Sequence, residues 1–213
     1  MMLLSWNKLR KYKVQATDGV VGALDGVYFI GSRFSWMIQY FVVNVSEWMQ
    51  EKQVLIPLDI IGRPFRDLKR LPVDVSAEEV RNSRIFTDEN LLGTKDIIGY
   101  TLTALDGGVG YVEDLIVDDS TWEIKYLVVS LWEYASQKRV LVPPKWIDEI
   151  VSEDRDIRLN VLNSQLSRAV PFEREQSVSG EKEKTGDKTR NQQTLVAAGV
   201  QRGKIPLSRV DEA

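Results

Sequence analysis

Apolar positions along this chain fall into short runs and period-two alternations, broken by Gly, Pro and Asp-Gly pairs, and this is the pattern of strands. Residues 20–29 and 109–117 each follow such a pair, Asp18-Gly19 and Asp106-Gly107, where the glycine is expected to supply the positive φ of a tight hairpin. Residues 38–45 and 124–131 are rich in β-branched and aromatic side chains and are expected to be central strands. Residues 54–56 and 140–142 predict short strands that stop at Pro57 and Pro143, because proline cannot donate to a continuing ladder. Residues 71–75 and 157–161 alternate apolar and polar side chains, as a half-buried strand does. Ser76-Ala77-Glu78-Glu79 then predicts a capping box opening a short helix to Ser83, with a counterpart at 163–169.

Every one of these elements occurs twice. Ala16-Thr17-Asp18-Gly19-Val20-Val21-Gly22 returns 88 residues on as Ala104-Leu105-Asp106-Gly107-Gly108-Val109-Gly110. From Trp36 onward the offset becomes 86, and residues 36–61 share 11 identities in 26 positions with 122–147. Unrelated segments of that length would share about one or two. A solenoid stacks three or more shorter repeats, so two long copies imply a duplicated small domain.

Five or so short strands in about 75 residues are too few for a large two-layer sandwich, and a small barrel buries one face while removing free edges. The expected fold is therefore mainly β: two tandem small barrels, each with a short C-terminal helix. The expected boundaries are 8–83 for the first repeat, 84–96 for a linker, 97–172 for the second repeat and 173–213 for a disordered charged tail. Cores of that size are small, so the barrels are expected to pack against each other or another chain. The tail expectation rests on composition: residues 173–213 contain no Trp, Tyr or Phe, and 173–194 are almost free of apolar residues.

Composition narrows the chemistry. The chain has no Cys and no His, which removes thiolate nucleophiles, disulfides, Cys or His zinc sites and His-based triads. A net charge of −3 argues against a dedicated nucleic-acid binder. The apolar start, Met1-Met2-Leu3-Leu4-Ser5-Trp6, is shorter than the core of an export signal, and no apolar run approaches the roughly 20 residues of a membrane span. A cytoplasmic protein without a membrane span of its own, either free or at the membrane periphery, is the expectation.

Ile98-Gly99-Tyr100, the segment 104–110, Val112-Glu113-Asp114, Asp118-Asp119, Trp122-Glu123-Ile124-Lys125-Tyr126 and Val140-Leu141-Val142-Pro143-Pro144-Lys145-Trp146-Ile147 together resemble the PRC-barrel domain of bacterial proteins. That family is named after the cytoplasmic domain of the photosynthetic reaction centre H subunit. The second repeat resembles the stand-alone form closely and the first is a more divergent copy. The resemblance implies a compact β-barrel that acts through protein contacts, and it brings no shared catalytic residues and no cofactor.

Glu113, Asp114, Asp118 and Asp119 form the densest acidic feature, with oxygen ligands that suit Ca²⁺ or Mg²⁺. Asp118-Asp119-Ser120-Thr121 is equally an ordinary hairpin turn, and the first repeat carries Ile30-Gly31-Ser32-Arg33 there, so a solvated turn without metal is the favoured reading. The glycines near 19–22 and 107–110 lack the Lys and the helix of a phosphate loop and read as turn glycines. Trp36 and Trp122 open the central strands and are assigned to the cores. Trp48, Trp132, Tyr134 and Trp146 fall near strand ends and are the candidate protein contacts. Lys8, Arg10, Lys11 and Lys13 form a basic run, read as a solvated face in preference to an RNA or anionic-membrane contact.

The function expected from these observations is a non-catalytic interaction or scaffolding module with a protein partner, able to form a homo-oligomer. A ribosome or RNA-processing accessory factor and a peripheral subunit of a membrane or reaction-centre-like complex are the alternatives.

Overall fold

A computed structural model of the chain describes residues 2–32, 35–45, 52–83, 91–132 and 138–173. The first half runs β1 (Leu3–Ser5), α1 (Trp6–Leu9), β2 (Lys13–Ala16), β3 (Gly19–Gly31), β4 (Trp36–Asn44), β5 (Gln53–Pro57), β6 (Arg70–Pro72) and α2 (Ala77–Asn82). The second runs β7 (Leu92–Gly93), α3 (Thr94–Ile97), β8 (Thr101–Ala104), β9 (Gly107–Asp118), β10 (Glu123–Leu131), β11 (Arg139–Val142), β12 (Ile147–Val151), β13 (Asp156–Leu159) and α4 (Asn163–Leu166). A single 3₁₀ turn follows β5 and β11 in turn, at Leu58–Ile60 and Pro144–Trp146. The fold is mainly β, as expected.

The central pairing repeats in each half, although the β12–β13 ladder of the second has only the Ile61–Val73 and Phe65–Arg70 bridges as its counterpart in the first. β2 and β8 lie antiparallel to β3 and β9, and parallel to β6 and β13. Bulges recur at equivalent residues: Val21 and Val109, Asp25 and Glu113, and Gln39 and Lys125 each lie where the ladder shifts by one. Each bulge adds bend and twist to the strand that carries it. That is how two strands as long as β3 and β9 curve around an apolar interior instead of lying flat.

Gly22 and Gly110 are required by that curvature. A Cβ at Gly22 would stand 2.3 Å from the Asn44 carbonyl oxygen, and one at Gly110 would stand 2.0 Å from that of Ser130. These two are close-approach glycines inside strands, not turn glycines. The expectation for Gly19 also changes: φ is positive at Gly107 (134°) but not at Gly19. The turn aspartates have a second task, because Asp18 and Asp106 accept hydrogen bonds from the N–H groups of Ala77 and Asn163, the first residues of α2 and α4. At Ser76 the predicted capping box is present: its hydroxyl accepts from Glu79 N–H while the Glu79 carboxylate accepts from Ser76 N–H.

Two separate closed barrels were expected, whereas the strands form one open 13-stranded sheet, with nine strands in the order β12-β13-β8-β9-β10-β4-β3-β2-β6 and β1, β11, β5 and β7 pairing off that path with β9, β10, β4 and β3. The halves meet where β4 and β10 pair, Met37 opposite Glu123 and Trp36 opposite Ile124. One continuous set of buried apolar side chains runs through both. Phe41 of the first half meets Trp122 of the second edge-on, with ring centroids 4.9 Å apart. The physical reason is size: halves this small bury too little surface alone and gain by sharing a core.

The sharing is reciprocal. β1, at the start of the first half, pairs with β9 of the second; β7, at the start of the second, pairs with β3 of the first. Leu4 stands opposite Val117 and Leu92 opposite Phe29, so the exchanged strands occupy equivalent registers. Leu9 and Ile97 then enter the core from α1 and α3. β1 lies ahead of the expected start at residue 8, and β7 and most of α3 fall within the expected 84–96 linker, with Thr94 buried and accepting from the Val27 N–H at 3.2 Å. Of the expected tail, all beyond Glu173 lies outside the described residues.

Candidate interaction surface

The acidic cluster is neither solvated nor convergent. Asp114, Asp118 and Asp119 are 2%, 1% and 5% exposed, which replaces the solvated-turn reading. Asp114 accepts from the Ser5 hydroxyl at 2.5 Å, from Asn7 N–H at 3.0 Å and from Leu115 N–H at 2.8 Å. Asp119 accepts from Met2 N–H at 2.9 Å and pairs with Arg66, a residue of the first half. Glu113, at its bulge, pairs with Arg139 at 2.5 Å. Asp114 and Asp119 therefore hold the exchanged segment β1–α1 and the 65–70 hairpin against the second half. Among the described residues, no group of three or more acidic side chains is placed to hold a metal ion.

Asp118 turns inward to its own loop. Burial pushes its carboxyl up, but the Ser120 hydroxyl, the Ser120 and Thr121 N–H groups and Lys125 outweigh that and hold it below the ordinary carboxylate value. The Ser120 hydroxyl donates to it at 2.6 Å. Glu79 is likewise held low, by the hydroxyl and N–H of Ser76 in the capping box.

Of the aromatic candidates, Trp36 and Trp122 are buried, as assigned. Trp146 is half-buried against the core and offers little surface. Trp48 and Tyr134 lie outside the described residues. Trp132 is different: it is 55% exposed at the end of β10. Its ring lies over Gly108, where a Cβ would come within 3.0 Å of it, and the Trp132 backbone N–H donates to the Val109 carbonyl.

Two further apolar side chains stand at the same β8–β9 turn, Leu105 (69% exposed) and Leu162 (43%). They adjoin through backbone contacts: Leu105 N–H donates to the Val161 carbonyl, and Asn163 N–H donates to Asp106. The first repeat carries Thr17, Ser46 and Ser76 where the second carries Leu105, Trp132 and Leu162, and Val20 where the second has the Gly108 beneath the ring. Sequence reading singled out Trp132 but missed the two leucines. Comparing the copies for positions where one is polar and the other apolar would have found them. Such a surface has apolar area to bury, which suits binding.

Residues 89–166 match the family model described as PRC-barrel domain. The match opens just before β7, the exchanged strand, and closes at the end of α4. No curated protein matches the chain.

Proposed function

From the premise that residues 89–166 belong to the PRC-barrel family, we propose that this chain is a non-catalytic protein-interaction module built of two PRC-barrel repeats, the first more divergent. The shared bulges, the equivalent helix-capping aspartates and the matched exchange of β1 and β7 support the tandem reading. In this reading each half is a barrel opened toward the other, and duplication allowed the two to specialise.

One observation carries the binding role: the second repeat exposes Leu105, Trp132 and Leu162 where the first repeat has polar residues. An apolar cluster anchored by a tryptophan is what a protein partner buries at the centre of a contact. The absence of His and Cys, and acidic side chains committed to structural hydrogen bonds, support a role without catalysis.

The test is affinity purification of the intact chain, of a chain ending at Phe172, and of a Leu105→Ser/Trp132→Ser variant, with quantitative comparison of the co-purifying proteins. The reading predicts a protein retained by the shortened chain and depleted at least about tenfold by the double variant, since hot-spot truncations each cost about 2 kcal/mol or more. The same set of proteins at the same yield on all three baits would contradict it.

A further inference from the structure

The opposite kind of asymmetry marks the first repeat. Its hairpin at residues 65–70, closed by reciprocal backbone bonds between Phe65 and Arg70, carries an exposed Phe65 (51%) and Leu68 (68%). Arg66 ties this hairpin to Asp119, whose backbone N–H and side chain hold Met2 in turn. Met2 and Leu3, both exposed, thus stand beside the hairpin and extend its apolar surface.

Basic side chains surround these apolar ones. Lys13 pairs with Arg70 across β2 and β6, and its N–H donates to the Lys69 carbonyl. Tyr12 is buried between the exposed Lys11 and Lys13, so both lysines point away from the core. Arg63 is exposed just before the hairpin, and Asp67 is the one acidic residue at its tip. None of Lys11, Lys13, Arg63 and Lys69 is in an ion pair with a described residue. The second repeat has Thr101, Glu149, Arg155 and Asp156 where the first has Lys13, Arg63, Lys69 and Arg70. In a chain of net charge −3, positive charge is thus gathered beside the exposed Phe65 and Leu68 side chains.

We propose that this end of the first repeat docks onto a membrane surface rich in anionic lipid, with Leu68 and Phe65 entering the headgroup boundary and Lys11, Lys13, Arg63 and Lys69 lying over the lipid phosphates. Interfacial binding needs both terms, apolar area to bury and cations to meet the anionic surface, and the hairpin presents them together. RNA would use the cations but leave Leu68 without a role. An acidic protein surface would likewise meet the cations but leave the apolar tip exposed. No helix among the described residues is long and apolar enough to cross a membrane.

Flotation of the full chain with phosphatidylcholine vesicles, with and without phosphatidylglycerol, tests the proposal. The chain is expected to float with the anionic vesicles and stay behind with the neutral ones. Phe65→Ser/Leu68→Ser is expected to lower the bound fraction about tenfold, and Lys13→Glu/Lys69→Glu at least about twentyfold at low salt. All four positions are exposed or at the surface, so near-ultraviolet circular dichroism of both variants should match the parent. Leu105→Ser/Trp132→Ser, on the other repeat, should float like the parent. No flotation with anionic vesicles, flotation indifferent to the hairpin substitutions, or gel-shift binding of RNA without any lipid binding would overturn the proposal.

Discussion

Met37 and Glu123 face each other across β4 and β10, and they occupy the same position of the two repeats. A pseudo-twofold axis therefore passes between them. On either side the contacts repeat: Trp36 stands opposite Ile124, and Ile38 N–H donates to the Trp122 carbonyl at 3.1 Å. In a pair of identical second repeats, Glu123 would face another Glu123, and like charges directly opposite are destabilising. Met37 removes that clash at the seam between the halves, while Lys125 pairs with Glu123.

Asp114 is the main polar anchor of the exchanged N-terminal segment. Asp114→Ala leaves the Ser5 hydroxyl and the N–H groups of Asn7 and Leu115 without their acceptor. Hydrogen bonds to a charged group contribute about 1.5–3 kcal/mol, so a loss of about 3 kcal/mol is expected in urea unfolding. Ser5→Ala, which removes one donor, should cost about 1 kcal/mol. The midpoints of denaturation check both values.

The strand glycines differ sharply in what they tolerate. Gly22→Ala and Gly110→Ala drive a methyl group into a backbone carbonyl of the neighbouring strand, and each should destabilise by about 3 kcal/mol or more. Gly19→Ala meets open space at a φ that is not positive, so it should stay within about 0.5 kcal/mol of the parent. Thermal melts of the three variants separate the close-approach glycines from the permissive one.

Asp118 makes stability depend on pH in a definite direction. Its carboxyl is held lower in the folded chain than in the unfolded one, so its contribution is complete above the unfolded value of about 3.9 and is lost as pH falls through the lower folded value. Asp118→Asn keeps an acceptor oxygen for Ser120 but cannot titrate. Its stability should fall less steeply than the parent's below about pH 4, as acid titrations of unfolding would record.

Much of this fold is legible in the sequence because its signals are local. The β-branched runs of β4 and β10, the stops at Pro57 and Pro143, and the Ser76–Glu79 capping box each lie within a few residues of what they determine. The exchange of β1 and β7 is not local. Leu4 pairs with Val117 from the far end of the chain, and strands of three and two residues have no period to read. One trace exists: Leu3-Leu4-Ser5 and Leu91-Leu92-Gly93 align at the offset of 88 that places Asp18 on Asp106. The acidic cluster misled for a related reason, since spacing shows that carboxylates are near one another but not that Ser5, Asn7 and Arg66 arrive from elsewhere to occupy them.

The halves are joined in one sheet at Met37 and Glu123, and because the chain has no Cys a disulfide can be placed there without competition. Opposed residues of an antiparallel pair lie about 4.5–5.5 Å apart at Cα, within reach of a disulfide. Oxidised in dilute solution, Met37→Cys/Glu123→Cys should form the bond within one chain, seen as a faster-running monomer on non-reducing gels, while Met37→Cys/Tyr126→Cys should not. A variant that stays reduced, or that links only between chains, would contradict the shared sheet.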